Sequence, residues 1–216
     1  MRQLYPRLLI FFGFAGIAAI FGCKKDQHYT IDSGLKAAFA YMPGTYWIYK
    51  DSLTGRVDSF YVVSNELSTF NYPSQGYSQD EFDIDIIEKS IIPITAQDVY
   101  DTSHWRLSLT DKIGLGWYNN NLPEAGVGFT LSKYPFAPGT VGSFCYVANI
   151  YPSYAIGSNT FSNVEETISS FGSKYNYNDT FYLTTDYGLV KLCLHHHYDS
   201  LAIDRTWELQ RSYIIK

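Results

Sequence analysis

Three consecutive histidines, His195 to His197, form the densest run of metal-ligating side chains in the sequence. On a β-strand, His195 and His197 point to one face and His196 points to the other. Two imidazoles at this spacing supply half of a zinc site. A solvated strand end is the opposing interpretation and requires no metal. We therefore predict no resident metal or cofactor and keep His195 and His197 as candidate ligands. The side chains that could complete such a site are His104, Asp83, Asp85 or Glu208.

A cluster of carboxylates is the second group able to do chemistry. Paired carboxylates perform general acid–base catalysis or bind calcium. Here, however, two of the acids alternate with Phe82, Ile84 and Ile86, which predicts a strand with one buried and one wet face. The ligand spacing of an EF-hand loop is absent. The members of the cluster are Asp80, Glu81, Asp83, Asp85 and Glu88.

The motifs of nucleophilic and phosphate chemistry are missing. The sequence contains no Gly-x-Ser-x-Gly, His-Glu-x-x-His or Ser-x-x-Lys motif and no phosphate-cradling glycine-rich loop. Cys145 and Cys193 lie in apolar stretches, where a thiol has a raised pKa and is unreactive. We therefore predict no catalytic residue, with an envelope hydrolase that lacks recognisable motifs as the enzymatic alternative.

Aromatic residues are abundant, with 20 Tyr, 14 Phe and 4 Trp in 216 residues. Such rings can form a platform that stacks against sugar rings. The four tryptophans nevertheless fall in strand-like patterns, which favours a place in the core. They are Trp47, Trp105, Trp117 and Trp207.

Cys23 ends a segment with the three parts of an export signal. Arg2 and Arg7 provide the positive end, an uncharged apolar run covers 8–21, and small Gly22 precedes the cysteine. The run is shorter than the roughly 20 residues of a membrane-spanning helix. An ordinary secretory signal with a coincidental cysteine is the other alternative.

The segment Ile20-Phe21-Gly22-Cys23 resembles the lipobox that type II signal peptidase cleaves in bacterial lipoproteins. The resemblance implies a diacylglycerol on the Cys23 sulfur and a fatty acyl group on its new amine. The start Cys-Lys-Lys-Asp resembles lipoproteins of Bacteroidota. We therefore expect a lipid anchor in the outer membrane, with the periplasmic or surface-facing leaflet left open.

Composition limits the partners of the mature chain. Removing residues 1–22 lowers the count of Lys and Arg from 16 to 14 against 21 acids, a net charge of −7. No basic patch supports nucleic-acid binding. Cys145 and Cys193 would remain as a pair in an oxidising compartment. They form either a disulfide between strands or two separate buried thiols.

Short strands with frequent turns cover most of the mature sequence. We predict a short helix near 35–39 and a hairpin with strands at 46–50 and 57–63. Residues 71–79 and 175–179 are predicted loops or turns. Further strands are predicted at 82–86, 105–110, 114–118, 126–131, 141–151, 164–171, 181–185, 188–198 and 205–215.

The segments Tyr41-Met42-Pro43-Gly44-Thr45 and Phe136-Ala137-Pro138-Gly139-Thr140 are similar, and each precedes a predicted strand. Pro-Gly is a strong turn signal on its own. The similarity therefore reflects either two independent turns or an internal repeat with two halves.

Three short motifs carry a resemblance to uncharacterised Bacteroidota envelope lipoproteins. Residues 42–49 resemble their P-x-x-x-G-x-x-W-x-Y opening with shortened spacing, 187–191 resemble their G-L-V-K strand, and 206–213 resemble their last strand. The resemblance implies a curved antiparallel sheet like that of lipocalins or lipoprotein carriers, and no catalytic residue.

These observations predict an all-β chain with an antiparallel curved or barrel-like sheet, and a β-sandwich as the alternative. The predicted organisation is a signal peptide at 1–22, a lipidated tether with a short helix at 23–40, and one β domain at 41–216. The expected role is non-catalytic binding of an apolar ligand, a glycan or an envelope protein.

Overall fold

The computed structural model describes residues 27–90, 104–110, 114–119, 127–131, 136–143, 145–171, 176–198 and 201–216. These residues confirm the all-β prediction, since they contain thirteen strands and one helix, α1, at Ser33–Phe39. The strands β1 to β13 cover Gln27–Tyr29, Tyr46–Asp51, Val57–Tyr72, Tyr77–Ser90, His104–Thr110, Gly114–Asn119, Val127–Leu131, Gly142–Ser143, Cys145–Ile156, Asn159–Phe171, Asn176–Thr184, Gly188–Tyr198 and Leu201–Tyr213.

All strands belong to one sheet, as the first of the two fold alternatives predicted. Its order is β8-β7-β6-β5-β4-β3-β2-β13-β12-β11-β10-β9, with every neighbouring pair antiparallel. The short strand β1 is added in parallel to β4. Consecutive strands are neighbours from β2 to β8 and from β9 to β13, because short turns favour hairpins.

The two ends of the sheet approach each other. β7 lies close to β9 and β10, and the segment 139–143 contacts both ends. Its first part exchanges backbone hydrogen bonds with Val147 of β9, and its last part pairs with β7. The described residues thus form a strongly curved sheet that no full ladder closes.

The helix packs on the concave face of the first strands. Asp32 is its N-cap and accepts a hydrogen bond from the Leu35 amide at 2.8 Å, which satisfies one of the free amides of the first turn. Leu35 and Phe39 are buried among residues of the sheet. The predicted short helix is therefore confirmed and forms part of the core.

The two Pro-Gly-Thr turns have the same backbone geometry. In the turn at 43–45 the glycine amide donates to Val62 and the threonine carbonyl accepts from it; the turn at 138–140 makes the same two bonds with Val147. Both glycines are left-handed, with φ of +96° and +84°. The similarity of the two segments thus extends to their three-dimensional contacts.

The strands that follow the two turns also correspond. A β-bulge interrupts the β3–β4 ladder and the β9–β10 ladder at equivalent places. At each bulge a carboxylate accepts a bond from the residue of the partner strand opposite it: Asp85 from Ser64 at 2.8 Å, and Glu166 from Asn149 at 2.7 Å. The halves β2–β7 and β8–β13 meet as β2 with β13 and β7 with β8. These features support the internal-repeat alternative.

The hairpin of β3 and β4 is longer than predicted. Instead of a loop over 71–79, the ladder continues to the pair Tyr72 and Tyr77, leaving a turn of four residues. We call residues 67–79 the hairpin arm. Most of its side chains are at least partly exposed, so its sequence lacks the apolar alternation that marks a half-buried strand.

Two other boundaries differ from the prediction. The turn predicted at 175–179 is wrong from Asn176 onward, because a polar Asn-Tyr-Asn-Asp run is paired on both sides by β10 and β12. The strand predicted at 141–151 is divided between β8 and β9, which bond to opposite ends of the sheet. Local propensity does not report either pairing.

Candidate functional site

The two cysteines of the β domain do not form a disulfide. Both are free, and their strands β9 and β12 are separated by β10 and β11. Three strand spacings amount to about 14 Å, beyond the roughly 7 Å that a disulfide spans. The disulfide alternative for Cys145 and Cys193 is therefore wrong, and two separate thiols are present. Burial raises the pKa of the Cys193 thiol, consistent with an inert group. Cys23 lies outside the described residues.

The histidine run lies at the end of β12. The backbone register places His195 opposite Asp204 and His197 opposite Ala202. The side chain of His195 is exposed. The side chain of His197 is outside the described part. Among the described residues, no group of three or more His, Cys, Asp or Glu comes together. His195 and His197 therefore stay candidate ligands only.

Asp83 and Asp85 of the acidic cluster lie on the wet face of β4, as the alternation predicted. Phe82, Ile84 and Ile86 are buried, whereas Asp83 forms an ion pair with Arg106, and Asp85 accepts from Ser64. Thr69 donates to Asp80 at 2.8 Å. The side chain of Glu88 is outside the described residues. The described carboxylates therefore have partners within the sheet.

Two tryptophans are core residues. Trp47 and Trp207 are buried, and their indole N–H groups donate to the Tyr187 carbonyl at 2.7 Å and to Asp58 at 3.1 Å. The side chains of Trp105 and Trp117 lie outside the described residues. The core interpretation is thus confirmed for the two tryptophans that are described.

Exposed tyrosines form a platform on the convex face of the sheet. Tyr46, Tyr61 and Tyr213 lie side by side on β2, β3 and β13, with ring centroids 6.3 Å and 6.0 Å apart. Tyr61 is 39% exposed and Tyr213 57% exposed. We call these three side chains the tyrosine ladder.

Arg211 lies beside this ladder because of a bulge in β13. The buried Leu209 is two residues earlier, so strict alternation would direct Arg211 into the core. The register shift between Leu209 and Arg211 instead exposes the arginine. Its guanidinium carbon lies 5.8 Å from the Tyr46 ring centroid, a cation–π contact. The register shift is not visible in the sequence, and reasoning from it missed Arg211.

An open depression of about 250 Å³ adjoins the ladder. Arg211 is its only charged lining residue among the described side chains, and the others offer amide and hydroxyl groups or aromatic and aliphatic surface. In the described part of the chain Arg211 makes no ion pair, so its donors remain available to a ligand. The depression is lined by Asn159, Thr160, Phe161, Tyr187, Leu209, Gln210, Arg211 and Ser212.

A second tyrosine-rich cluster on the convex face is fully partnered. Glu166 accepts hydrogen bonds from Asn149 at 2.7 Å, Tyr151 at 2.8 Å and Tyr182 at 2.9 Å. Burial acts to raise the pKa of Glu166, but the three donors outweigh it and the pKa is lowered. Tyr182 stacks on Tyr154 with ring centroids 5.0 Å apart. These contacts join β9, β10 and β11 and have a structural role.

Two side-chain oxygens of β10 are buried without a hydrogen-bond partner among the described residues. Glu165 faces the concave side, since it pairs with buried Leu183, and Thr167 lies two residues further on. Glu165 Oε2 and Thr167 Oγ1 are both unpartnered. Burial alone raises the pKa of Glu165 to about 7. If Asp85 and Glu166 are equivalent, these residues occupy the positions of Ile84 and Ile86.

No protein-family model matches the chain, and no curated protein or solved structure is significantly similar to it. The resemblance to envelope lipoproteins therefore stays a prediction. Within the described residues, no helix has the length and apolar character needed to cross a bilayer.

Proposed function

We propose that this chain is a lipid-anchored protein of the bacterial outer membrane that binds a saccharide without catalysing a reaction. The tyrosine ladder and the depression beside Arg211 form the binding surface. The observation that carries this proposal is Arg211, which makes no ion pair within the described residues and which a bulge places next to the tyrosine ladder.

The chemistry of this surface suits a sugar. The apolar faces of pyranose rings stack on aromatic rings, and exposed tyrosines offer both a ring face and a hydroxyl group. Asn159, Thr160 and Ser212 supply neutral donors and acceptors for sugar hydroxyls. The guanidinium of Arg211 matches a carboxylate with two parallel hydrogen bonds. We therefore expect oligosaccharides that contain a uronic acid to bind best.

The concave face offers less support for a carrier of apolar ligands. The described side chains of that face pack into one core with α1. The apolar side chains of this face are thus already shielded from water by other residues of the protein, and they do not need a ligand for that purpose. A carrier function stays a prediction, and the saccharide proposal makes use of groups that are exposed.

The anchor is proposed from the leader and Cys23. Residues 8–21 are uncharged and apolar, and Gly22 precedes the cysteine. Several acyl chains on one residue hold a protein to a membrane far more firmly than one chain does.

A glycan array with neutral and uronic-acid-containing oligosaccharides tests the saccharide proposal. Isothermal titration calorimetry then measures the affinity for the oligosaccharide that binds most strongly. We expect Arg211→Gln to weaken binding of the acidic sugar roughly 10- to 100-fold, as for a hydrogen bond to a charged group. Tyr213→Ala should weaken neutral and acidic sugars alike by roughly 2- to 10-fold.

Tyr146→Ala is the matched control, because Tyr146 is a similarly exposed tyrosine that borders neither the ladder nor the depression. Its binding should equal that of the unmodified chain. A panel without a saccharide ligand, or equal losses in Tyr146→Ala and Tyr213→Ala, would contradict the proposal.

A further inference from the structure

The hairpin arm is an uncharged surface with exposed apolar side chains. Residues 67–79 contain no Asp, Glu, Lys, Arg or His, in a chain with 17% charged residues. Leu67 is 55% exposed and Phe70 is 42% exposed. Tyr72 and Tyr77 stack with ring centroids 4.8 Å apart, and Tyr29 meets Tyr77 edge-on at 5.6 Å. The arm therefore joins apolar surface to tyrosine hydroxyls, and the charged side chains that border it, Asp80 and Glu81, lie at its base opposite Thr69 and Ser68.

The start of the described chain is bonded to this arm. β1 pairs in parallel with the first residues of β4, and the Gln27 amide donates to the Gly76 carbonyl at 3.2 Å. His28 Nδ1 and Ser78 Oγ are 2.8 Å apart. The N-terminal strand thus fixes the arm as the part of the molecule that immediately follows the proposed tether.

The tether is too short to hold the arm away from a membrane. Three residues, 24–26, separate Cys23 from Gln27. Four extended residue steps span at most about 14 Å, about twice the roughly 5–8 Å thickness of one headgroup region. An acylated Cys23 would therefore keep the arm at the bilayer surface.

We propose that the hairpin arm docks in the headgroup region of the membrane that holds the lipid anchor. This inference rests on the proposed acylation of Cys23. Tyrosine is favoured at the membrane–water interface because its ring is apolar and its hydroxyl remains solvated. Phe70 buries apolar surface on insertion, and no charged side chain has to be desolvated between Phe70 and Gln79. Leu67 lies at the base of the arm, beyond the pairs that Ser68 and Thr69 form with Glu81 and Asp80. The arm thereby fixes the orientation of the β domain on the membrane.

Spin labelling of the complete, acylated protein in vesicles of phosphatidylethanolamine and phosphatidylglycerol tests this docking. The label is placed on Ser74→Cys, in the turn of the arm, or on Ser52→Cys, at the opposite end of β3, both with Cys193→Ala. We expect the label at 74 to be accessible to oxygen and protected from a water-soluble nickel complex. The label at 52 should be open to the nickel complex.

The apolar contacts are tested by Leu67→Ser combined with Phe70→Ser, which should make the label at 74 several-fold more accessible to nickel. Leu53→Ser, which changes an equally exposed leucine in the β2–β3 turn, should leave it protected. Equal nickel accessibility at 74 and 52 on a chain whose intact mass shows an acylated Cys23 overturns the docking and leaves the anchor standing. An intact mass without acyl chains overturns the anchor as well. Coupling between labels at 74 that persists on dilution into excess lipid indicates a second copy as the occupant and also overturns the proposal.

Discussion

Gly188 occupies a position in the β11–β12 turn where no side chain fits. Its φ is +76°, and a Cβ there would lie 2.5 Å from the hydroxyl oxygen of Tyr41. That hydroxyl is buried and has no hydrogen-bond partner within the described part of the chain. Burial, together with the nearby charge of Asp186, raises the pKa of Tyr41 far above its usual range. The contact joins the turn of the first half to the second half of the sheet.

We expect Gly188→Ala to lower the free energy of unfolding by about 2–4 kcal/mol, from the left-handed backbone and from overpacking against Tyr41. Gly157→Ala isolates the backbone cost, because Gly157 is also left-handed but has open space around it; it should lose about 1 kcal/mol. Tyr41→Phe should recover part of the loss in the double variant. Urea denaturation measures all three. Equal losses at the two glycines would show that Tyr41 does not restrict position 188.

At the scale of residues, sequence patterns predict burial better than exposure. The alternation from Phe82 to Ile86 correctly predicted which side chains are buried, because a half-buried strand has a fixed period of two. The same reasoning missed Arg211, because a bulge shifts the alternation of buried and exposed side chains by one residue. This bulge is visible only in the pairing of β13 with β2. The candidate site was therefore predictable in its tyrosine content and not in its arginine.

Among the elements, the β2–β3 hairpin is attached to β13 by a buried carboxylate. Asp58 is fully buried and accepts a bond from Arg56 Nε at 2.9 Å and from the Trp207 indole at 3.1 Å. Removing one partner of a buried ion pair leaves the other charge without compensation.

Asp58→Ala should therefore lower the free energy of unfolding by about 3–5 kcal/mol. Asp85→Ala is the control, because Asp85 is exposed and accepts one bond from Ser64; its loss should stay below about 1 kcal/mol. Chemical denaturation of the two variants provides the comparison. Losses of similar size would show that the buried pair does not hold the hairpin to β13.

Strand existence was more predictable than strand ends. The strand at 188–198 was predicted with its observed bounds, since an apolar run follows a Tyr-Gly turn. The arm was predicted as a loop, because tyrosine, serine and glutamine on two wet faces do not show a period. Its strands are held by the β3–β4 ladder and by β1, and such pairings depend on residues far apart in the chain.

At the scale of the whole molecule, the two corresponding halves of the sheet differ in the side chains on their concave faces. The first half covers its concave face with α1, whereas only six residues, 132–137, separate β7 from the turn of the second half. The second half correspondingly carries polar Glu165 and Thr167 where the first half has isoleucines. The fold itself therefore does not require a carboxyl group at position 165.

The raised pKa of Glu165 makes the stability of the whole domain depend on pH. The folded chain retains up to about pH 7 a proton that the unfolded chain releases near pH 4.5, so the free energy of unfolding falls as pH rises through this window. The fall should amount to as much as ~3 kcal/mol, at about 1.36 kcal/mol per pKa unit.

Glu165→Gln should remove this component, and Glu165→Ile, which copies Ile84, should remove it and raise stability at pH 8. Glu66→Gln, at an exposed position, should keep the pH dependence of the unmodified chain. Urea denaturation at pH 4.5 to 8 measures the four proteins; parallel curves for Glu165→Gln and Glu66→Gln would contradict the assignment of the buried proton to Glu165.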